Sequence, residues 1–530
     1  MTRSAVAMPR SPAGPHDPWL IAVVVSLATF MEVLDTSIAN VALRHIAGGL
    51  SISYDESTWV LTSYLVANAI ILPISGWLAT VLGRKRYYLG CVALFSLASL
   101  LCGLAPSLGW LVAFRVLQGL AGGGLAPSSL SMLRDSFPEK QTGMVYALYG
   151  IVVVAAPAMG PTLGGYLTDA YSWHWVFLIN VPIGIVAFVL NALLLVDPEV
   201  EQQERAARWA RGLRVDSAGF LLVALGLGSL QIALDQGERA DWFESTFIVA
   251  MSTIALVTLV MLAIRELSIE NPIVDLSLFR NGNFLAANLL RFGTFVALLG
   301  TTQLIPQLVQ IEFGYSAMQA GLVITPGAFV VIAMMPFVGR AVNTIQPRYL
   351  IGAGLVIEAA ALYYMSGFTT EMSFWHIAWA RCFQAAGLAL LIVPITSVAY
   401  IGIPQNQSAN AAALINLSRN IGGSVGIALA QTLLARRTQF HQARLTDKLT
   451  PENLGFMHVL HQAAQHFATL GSGAIEAQRQ ALRAIDFMLT QQARMLAFND
   501  VFYVMALGSL LTIPLIFLLR ATRPGQHAAG

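Results

Sequence analysis

This sequence of 530 residues carries very little charge. Asp, Glu, Lys and Arg make up 11% of it, whereas about 25% is usual for a soluble globular protein. Lysine is the rarest of them, with Lys85, Lys140 and Lys448 as the only three. Because so few charged side chains cannot cover a surface in contact with water, the composition excludes a soluble globular protein.

Cysteine and the common catalytic motifs are scarce as well. Cys91, Cys102 and Cys382 all fall inside apolar runs, so we interpret them as small packing residues rather than disulfide partners or metal ligands. Neither a Walker motif nor an HExxH motif is present, so nothing indicates ATP use or hydrolysis. The net charge of +2 is not concentrated in a tail. We therefore expect no enzyme activity, no metal and no nucleic-acid partner.

Apolar residues, by contrast, are abundant throughout the chain. They make up 56% of it, and the mean hydropathy is +0.67. Apolar runs of about 20 residues, each sufficient to cross a bilayer as a helix, recur from end to end and predict an all-α polytopic membrane protein. We place fourteen spans at 19–43, 58–82, 87–105, 110–133, 143–167, 175–196, 217–235, 246–264, 284–311, 318–342, 349–368, 374–400, 408–435 and 499–519.

The basic residues of the short loops predict the orientation, because cytoplasmic loops of membrane proteins carry an excess of Lys and Arg. Short loops on one side hold only Arg44 and Arg239. The side of both termini holds Arg84, Lys85, Arg86, Arg134, Lys140, Arg205, Arg208, Arg211, Arg214, Arg265, Arg280, Arg340, Arg348, Arg520 and Arg523. Both termini are therefore predicted to be cytoplasmic. The first apolar run lacks a small-residue cleavage pattern and is predicted to be a retained span.

One long polar loop, residues 436–498, separates the last two spans on the external side. Its periodicity predicts helices over 453–468 and 474–497. Two interpretations are open: a solvated amphipathic hairpin, or a docking surface for a periplasmic partner. Three histidines in this loop have a spacing seen in metal sites, but no cysteine or cluster of acids accompanies them, so we predict no metal there. They are His458, His461 and His466.

Two short motifs recur in the second half of the chain. Pro73-x-x-Gly76 returns as Pro336-x-x-Gly339, and Arg115-x-x-Gln118 returns as Arg381-x-x-Gln384. The two motifs are displaced along the sequence by nearly the same amount, which predicts two related six-helix halves with spans seven and eight inserted between them. Repeats of this kind place a substrate site at their interface, near the bilayer midplane.

We divide the chain accordingly into an N-terminal six-helix bundle (1–196), a linker with two extra spans (197–280) and a C-terminal six-helix bundle that includes the long loop (281–530). The substrate cavity is predicted to be lined by polar side chains on otherwise apolar spans. The candidates are Asn40, Asn68, Gln118, Gln303, Gln307 and Asn416.

Ionisable side chains inside membrane spans are costly and are functional candidates by default. They are Glu32, Asp35, Arg115, Arg291, Glu358, Arg381 and Arg419. Glu32 and Asp35 lie three positions apart on one helix face, where partial desolvation and mutual repulsion would let them take up and release protons. The alternative is a fixed ion pair with Arg115 that only stabilises the fold.

Arg115 stays charged in any protein environment, so it cannot itself carry a transported proton. Close to Asp35 it would favour the ionised carboxylate and help to expel its proton. Its repeat counterpart Arg381 is open to a structural or a functional interpretation. So is Glu358, which we expect Tyr363 and Tyr364 to satisfy by hydrogen bonding if it is structural.

Span five is rich in residues that kink a helix and let a neighbouring backbone approach closely. They are Pro157, Gly160, Pro161, Gly164 and Gly165. The pattern is typical of tight packing or of a hinge for alternating access, and we adopt the hinge as our prediction. Between spans two and three, Gly83 and Arg84 belong to a basic cluster that is either a topology signal or, together with Gly76, part of a gate.

At these motifs the sequence resembles the major facilitator superfamily, and within it the fourteen-span drug:proton antiporters of the EmrB/QacA type (DHA2). The resemblance covers nearly the whole chain and rests on residues 34–43, 76–86, 115–119, 160–165 and 271–276. The chain departs from the family pattern at Thr80, where the loop motif usually has an acid, and at Arg44, where the first-span motif often ends in proline. Glu32 is an additional acid that would alter the proton count or admit cationic drugs.

The resemblance implies a transporter of the bacterial inner membrane that exports lipophilic toxic compounds in exchange for protons. It implies that the proton gradient drives transport without a cofactor. It further implies a periplasmic membrane-fusion adaptor of the EmrA type and an outer-membrane channel of the TolC type.

Two other functions compete with this one. The first is a proton-coupled nutrient or metabolite symporter of the same fold, against which the Gly-Pro pattern of span five argues. The second is a proton-channel subunit of a respiratory complex. Such subunits use lysines inside the membrane, and none of the three lysines of this chain falls in a predicted span.

Overall fold

A computed structural model describes residues 17–138, 141–196, 202, 209, 216–269 and 272–519. Within these ranges the chain forms α-helices joined by short turns, and no β-strand occurs. The longer helices in the described ranges are α1 (Pro18–Leu50), α2 (Trp59–Leu82), α3 (Arg84–Gly103), α4 (Leu108–Ser136), α5 (Thr142–Ala170), α6 (Asn180–Leu194), α7 (Ser217–Gln236), α8 (Thr246–Glu266), α9 (Gly282–Glu312), α10 (Ala317–Thr344), α11 (Pro347–Met365), α12 (Phe374–Ala399), α13 (Ser408–Thr446), α14 (Leu454–Thr469) and α15 (Ala474–Leu511).

Helices α1 to α13 overlap the first thirteen predicted spans, and α15 contains most of the fourteenth. Among the described residues, twelve helical segments are long and apolar enough to cross a membrane, so the chain is a multi-pass membrane protein. The other two, α11 and α13, include the buried Glu358 and Arg419. Because length and composition select twelve of the fourteen, the count of fourteen spans stays a prediction. Four of the basic residues used for the orientation, Arg205, Arg208, Arg211 and Arg214, lie outside the described residues, as do Lys140, Arg520 and Arg523.

The last predicted span, 499–519, lies almost wholly within a longer helical segment that runs from Ala474 to Leu518. Helix α15 already begins at Ala474 and ends at Leu511, because the polar segment before residue 499 contains no proline and continues the same helix. Pro514 then stops it, since proline lacks the N–H that an α-helix needs, and a 3₁₀ turn follows at Ile513–Leu518.

The two helices predicted in the long loop are present as α14 and the first half of α15. Leu460, Ala481 and Ile485 form a small buried cluster between them. Helix α13 also extends beyond its predicted end at residue 435 to Thr446. The loop is therefore a helical hairpin that continues two long helices. We call the side of the molecule that carries α14 the hairpin face.

The opposite side, which we call the terminal face, is where α1 begins. There Trp19 packs edge-on against Phe137 at the end of α4, with ring centroids 5.0 Å apart. The helices α1 to α6 contact one another, as do α9 to α13 with α15, and the two groups meet chiefly through α5 on α10 and α2 on α13. The pair α7–α8 packs beside α2 and α13.

The repeated Pro-x-x-Gly motifs occupy matching places in this arrangement. A Cβ atom on Gly76 of α2 would lie 2.9 Å from Cα of Asn410 on α13, and one on Gly339 of α10 would lie 2.9 Å from the carbonyl oxygen of Gly143 on α5. Each glycine therefore lets the two helix groups touch near the terminal face. Near the hairpin face, Gly321 of α10 packs in the same way against Thr162 of α5.

Candidate functional site

Asp35 lies in the middle of α1 and is fully buried. Its Oδ2 accepts a hydrogen bond of 2.6 Å from Nη1 of Arg115 on α4. Its Oδ1 accepts bonds from Nε2 of Gln118, at 3.0 Å, and from Nδ2 of Asn180, at 2.6 Å. Three helices, α1, α4 and α6, therefore meet at a single carboxylate that has three donors.

Arg115 is also fully buried, and its remaining contacts fix its position. Nε donates to the carbonyl oxygen of Val60 at 2.9 Å, and Nη1 also donates to Oε1 of Gln118 at 2.7 Å. The guanidinium group lies over the ring of Tyr64, 4.2 Å from its centroid. Removing one partner of a buried ion pair costs about 3–5 kcal/mol because the other charge is left uncompensated, so replacing either residue alone should destabilise the bundle.

The prediction from sequence named three members of this network, Asp35, Arg115 and Gln118, but missed Asn180. Gln118 was predicted to line the substrate cavity, whereas in the structure its amide bridges Asp35 and Ser99, donating to the serine Oγ at 2.7 Å. Asn180 begins α6 just after a short helical turn, Trp175–Leu178. A single buried asparagine at the start of an apolar span was the available signal.

Glu32 lies one turn before Asp35 but faces different neighbours. Its Oε1 receives a long hydrogen bond of 3.5 Å from Nδ2 of Asn68 on α2, and its Oε2 has no partner within the described ranges. Oδ1 of Asn68 accepts from Nδ2 of Asn420 on α13 at 2.7 Å. Asn420 in turn accepts from Nε of Arg419 at 3.2 Å. Glu32 is thus linked across the interface between the two helix groups, whereas Asp35 is held within one of them.

The second repeat reproduces this arginine network without its carboxylate. Nη1 of Arg381 on α12 donates to Oε1 of Gln384 at 2.6 Å and to Oγ1 of Thr301 at 3.1 Å, and Nη2 donates to Oγ1 of Thr302 at 2.9 Å. The sequence offset that relates Arg115 to Arg381 also relates Asp35 to Thr301. A neutral hydroxyl therefore stands where the first repeat has its acid.

Glu358 on α11 supplies the acid that is near Arg381. It is fully buried, and neither carboxylate oxygen has a hydrogen-bond partner within the described ranges. The expectation that Tyr363 and Tyr364 satisfy it is wrong, because both rings lie on the outward face of α11 and are more than half exposed. The charge of Arg381 acts on it electrostatically.

The proline and glycine residues of α5 rest directly on α1. Pro161 has no N–H to donate to the carbonyl of Pro157, and that carbonyl instead accepts from Oγ of Ser37 at 2.9 Å. A Cβ on Gly160 would lie 2.2 Å from the same Oγ, and one on Gly164 would lie 3.2 Å from the carbonyl oxygen of Ile38. The motif therefore binds α5 to the turn of α1 that follows Asp35. Gly165 faces the other way and contacts Met318 of α10.

The cluster after α2 closes the terminal face. Gly83 ends α2 with a φ of +91°, a conformation that favours glycine. Arg84 pairs with Asp135 at the end of α4, and Asp135 also accepts from Oγ of Ser408 at the start of α13, at 2.7 Å. Thr80, where the resemblance expects an acid, donates within its own helix to the carbonyl oxygen of Trp77. Asp135 thus joins the start of α3 to the start of α13 at this face.

The other predicted lining residues form bridges at the interface. Asn40 of α1 donates to Oε1 of Gln303 on α9 at 2.7 Å, and Gln307 accepts from Nε2 of Gln431 on α13 at 2.8 Å. Asn416 of α13 accepts from the hydroxyl of Tyr149 on α5 at 2.8 Å. Asn40, Gln303 and Asn416 thus join the two helix groups, as Asn68 does, while Gln307 joins α9 to α13.

Comparison with known proteins agrees with this architecture. The sequence profile of the Major Facilitator Superfamily matches residues 25–427. The chain belongs to the major facilitator superfamily. The predicted all-α major facilitator fold is thereby confirmed, and the chain is a transporter rather than an enzyme.

Two relatives and one solved structure of this superfamily resemble the chain over most of its length. It is 36% identical over 488 residues to the multidrug export protein EmrB of Escherichia coli strain K12, covering 92% of each chain. It is 35% identical to the fatty acid resistance protein FarB of Neisseria gonorrhoeae, covering 96% of this chain and 97% of that one. The proton:xylose symporter XylE superposes with a TM-score of 0.60 at 12% identity, over 96% of this chain and 97% of XylE. The last likeness concerns the fold alone.

Proposed function

We propose that this protein is a proton-coupled multidrug efflux transporter that exports lipophilic toxic compounds. The observation that carries the proposal is the carboxylate of Asp35, which is fully buried against Arg115 and lies on a helix bound to α5, which in turn contacts the second helix group. A buried acid beside a permanent cation can be ionised in one conformation and protonated in another. The relatives named for multidrug export support the substrate class.

The transport cycle uses the two bundles, 1–196 and 281–530, as moving bodies, with the segment 197–280 inserted between them. A lipophilic compound enters the interface from the cytoplasm or the inner leaflet, the bundles rock, and the compound leaves on the other side. Protons taken up by Asp35, with Glu32 and Glu358 as further candidates, reset the transporter. The proton gradient is the energy source and no cofactor takes part.

The terminal face is cytoplasmic in this proposal, and the membrane is the bacterial inner membrane. The excess of Arg and Lys in the loops of that face supports the orientation. The hairpin face then projects into the periplasm, where α14 and the first half of α15 would meet an EmrA-like adaptor connected to a TolC-like outer-membrane channel. Exposed apolar side chains on this hairpin, including Leu454, Ile475 and Phe487, support a protein contact there.

Drug-driven proton release from inverted membrane vesicles tests the proposal. Vesicles holding the wild-type protein, Asp35→Asn or the control Asp55→Asn, at equal expression, are energised and monitored with a pH-sensitive dye. Asp55 is an exposed carboxylate outside the predicted spans. We expect lipophilic compounds to cause proton release with the wild type and the control but not with Asp35→Asn.

Release that survives in Asp35→Asn would make the ion pair structural and turn attention to Glu32→Gln and Glu358→Gln. No release from the wild type with any compound would contradict antiport itself.

A further inference from the structure

We propose that Arg291 and Arg419 form a binding site for the anionic head group, a carboxylate, of an amphipathic lipophilic substrate. The site lies at the interface between the two helix groups, and the proposal rests on the proposed export of lipophilic compounds. It assigns a charge preference to an interface whose other polar groups described above are amides, hydroxyls and the carboxylate of Glu32.

The two arginines come from adjacent helices that pack closely. Phe292 of α9 contacts Gly422 of α13, where a Cβ would lie 2.5 Å from the phenylalanine carbonyl oxygen. Arg291 immediately precedes Phe292, and Arg419 lies about one turn before Gly422. A hydrogen bond of 2.8 Å from Ser418 to Asn288 fixes the same register. The charge of Arg419 is close enough to act on Arg291.

The pair also lies where the first helix group approaches. Arg419 is linked through Asn420 to Asn68 of α2, as described above. Asn416, one turn earlier on α13, accepts from Tyr149 of α5, and that tyrosine interacts electrostatically with Arg291. Both arginines therefore lie beside contacts that must break when the two groups separate.

Several of their hydrogen-bonding groups are left without partners. Arg291 is 2% exposed and Arg419 6% exposed. Nη1 of Arg291 donates to Oγ1 of Thr396 at 2.7 Å, but its Nε and Nη2, and Nη1 of Arg419, are buried without a partner in the described parts of the chain. Buried unpaired donors are costly, and three of them on two neighbouring guanidinium groups indicate a missing acceptor.

The charge balance indicates that the acceptor is an anion. Within the described ranges neither arginine forms an ion pair, in contrast to Arg115 with Asp35. Glu32 interacts electrostatically with Arg419, but its single carboxylate cannot balance two cations. Guanidinium groups bind carboxylates through paired, planar hydrogen bonds, which the free Nε and Nη2 of Arg291 are arranged to give.

The surroundings of the two arginines are mostly apolar, which suits an apolar body attached to that head group once the two helix groups separate. Tyr149, Leu290, Phe295 and Ile415 belong to one continuous buried cluster of apolar side chains. A single anionic group with a long hydrocarbon chain fits this combination. A compact, multiply charged anion such as phosphate does not, because most of the wall is hydrocarbon.

Binding of laurate to the purified full-length protein tests the site, with 1-dodecanol as the uncharged probe of equal chain length. The variants are Arg291→Gln and Arg419→Gln, with Arg291→Lys to keep the charge. The matched control is Arg239→Gln, which removes an exposed arginine away from the interface. We expect both glutamine variants to weaken laurate binding about tenfold or more, as the loss of a charged contact does, and to change dodecanol binding less than twofold.

Arg291→Lys should keep part of the laurate affinity, and Arg239→Gln all of it. Equal losses for laurate and dodecanol, or no loss in either glutamine variant, would overturn the site. Arginine-dependent laurate binding without any substrate-driven proton release would support the site and contradict the proposed antiport. Proton release together with laurate binding that is unchanged in both glutamine variants would support the proposed antiport and contradict the site.

Discussion

The contact between α5 and α10 at the terminal face allows a substitution that should open the transporter on one side. Gly143 and Gly339 touch backbone to backbone, and a Cβ on Gly143 would lie 2.3 Å from the carbonyl oxygen of Gly339. Because the obstacle is backbone, it cannot rotate away as a side chain would. Gly143→Ala should therefore force the two helices apart near this face.

The size of the effect follows from the cost of overpacking. Inserting a methyl group into a well-packed contact costs about 1–3 kcal/mol. The cost falls only on the conformation in which the terminal face is closed, so the ratio of open to closed molecules should rise by a factor of about 5 to 150. Gly90→Ala is the matched control, because a Cβ on this exposed helical glycine meets nothing within 4 Å.

Spin labels on either side of the contact would measure the change. Exposed positions for them are Leu82, the last residue of α2, and Ile345, just after α10, each replaced by cysteine. The three native cysteines are all buried and free, which favours labelling at the introduced sites. Double electron–electron resonance should show a longer distance in Gly143→Ala than in the wild type or Gly90→Ala. Identical distance distributions in all three proteins would refute the argument that this glycine pair closes the face.

Three further predictions concern individual polar contacts. Asn180→Ala removes one of the three donors to Asp35 and should lower both the melting temperature and drug-driven proton release. The reason is that a hydrogen bond to a charged group contributes about 1.5–3 kcal/mol. A lower melting temperature with unchanged proton release would make Asn180 purely structural. Asp135→Asn should impair transport more than Thr80→Val in the same vesicle assay, because Arg84 pairs with Asp135; equal effects would contradict that pairing. Hydrogen bonds from Arg265 lower the pKa of Asp216, which caps α7, so its stabilising effect should be present near neutral pH and fall as the solution is acidified below pH about 4. The melting temperatures of the wild type and Asp216→Ala should accordingly converge at acid pH, and a constant difference would contradict this.

Much of the fold was predictable because hydrophobic runs in a membrane protein report helices directly. The ends of α13 and α15 were not, because outside the membrane a helix is limited by proline and by packing rather than by hydropathy. Helix α15 illustrates this: its start at Ala474 was predicted, but its continuation through residue 499 was not, since nothing in the sequence indicates whether the helix ends there.

The site was predictable to the extent that its residues are charged. Asp35 and Arg115 were found because a charge in an apolar span is conspicuous, whereas Asn180 and Thr301 are not. Thr301 could have been found from the repeat, since the offset between the two arginine motifs carries Asp35 onto it. The neighbours of a buried acid depend on how its helix is rotated about its axis. The sequence did not reveal this rotation for Glu358, so its proximity to Arg381 was not predicted.

The arrangement of the two acids of α1 limits how transport and protonation can be coupled. All three donors to Asp35 come from its own helix group, on α4 and α6, so rocking of two rigid groups leaves this carboxylate unchanged. The chain from Glu32 through Asn68 to Asn420 crosses between the groups and must break in the same motion. If Asp35 carries the proton, α1 has to move relative to α4. The hydrogen bond from Ser37 to α5 is the contact through which a movement at the interface can displace α1.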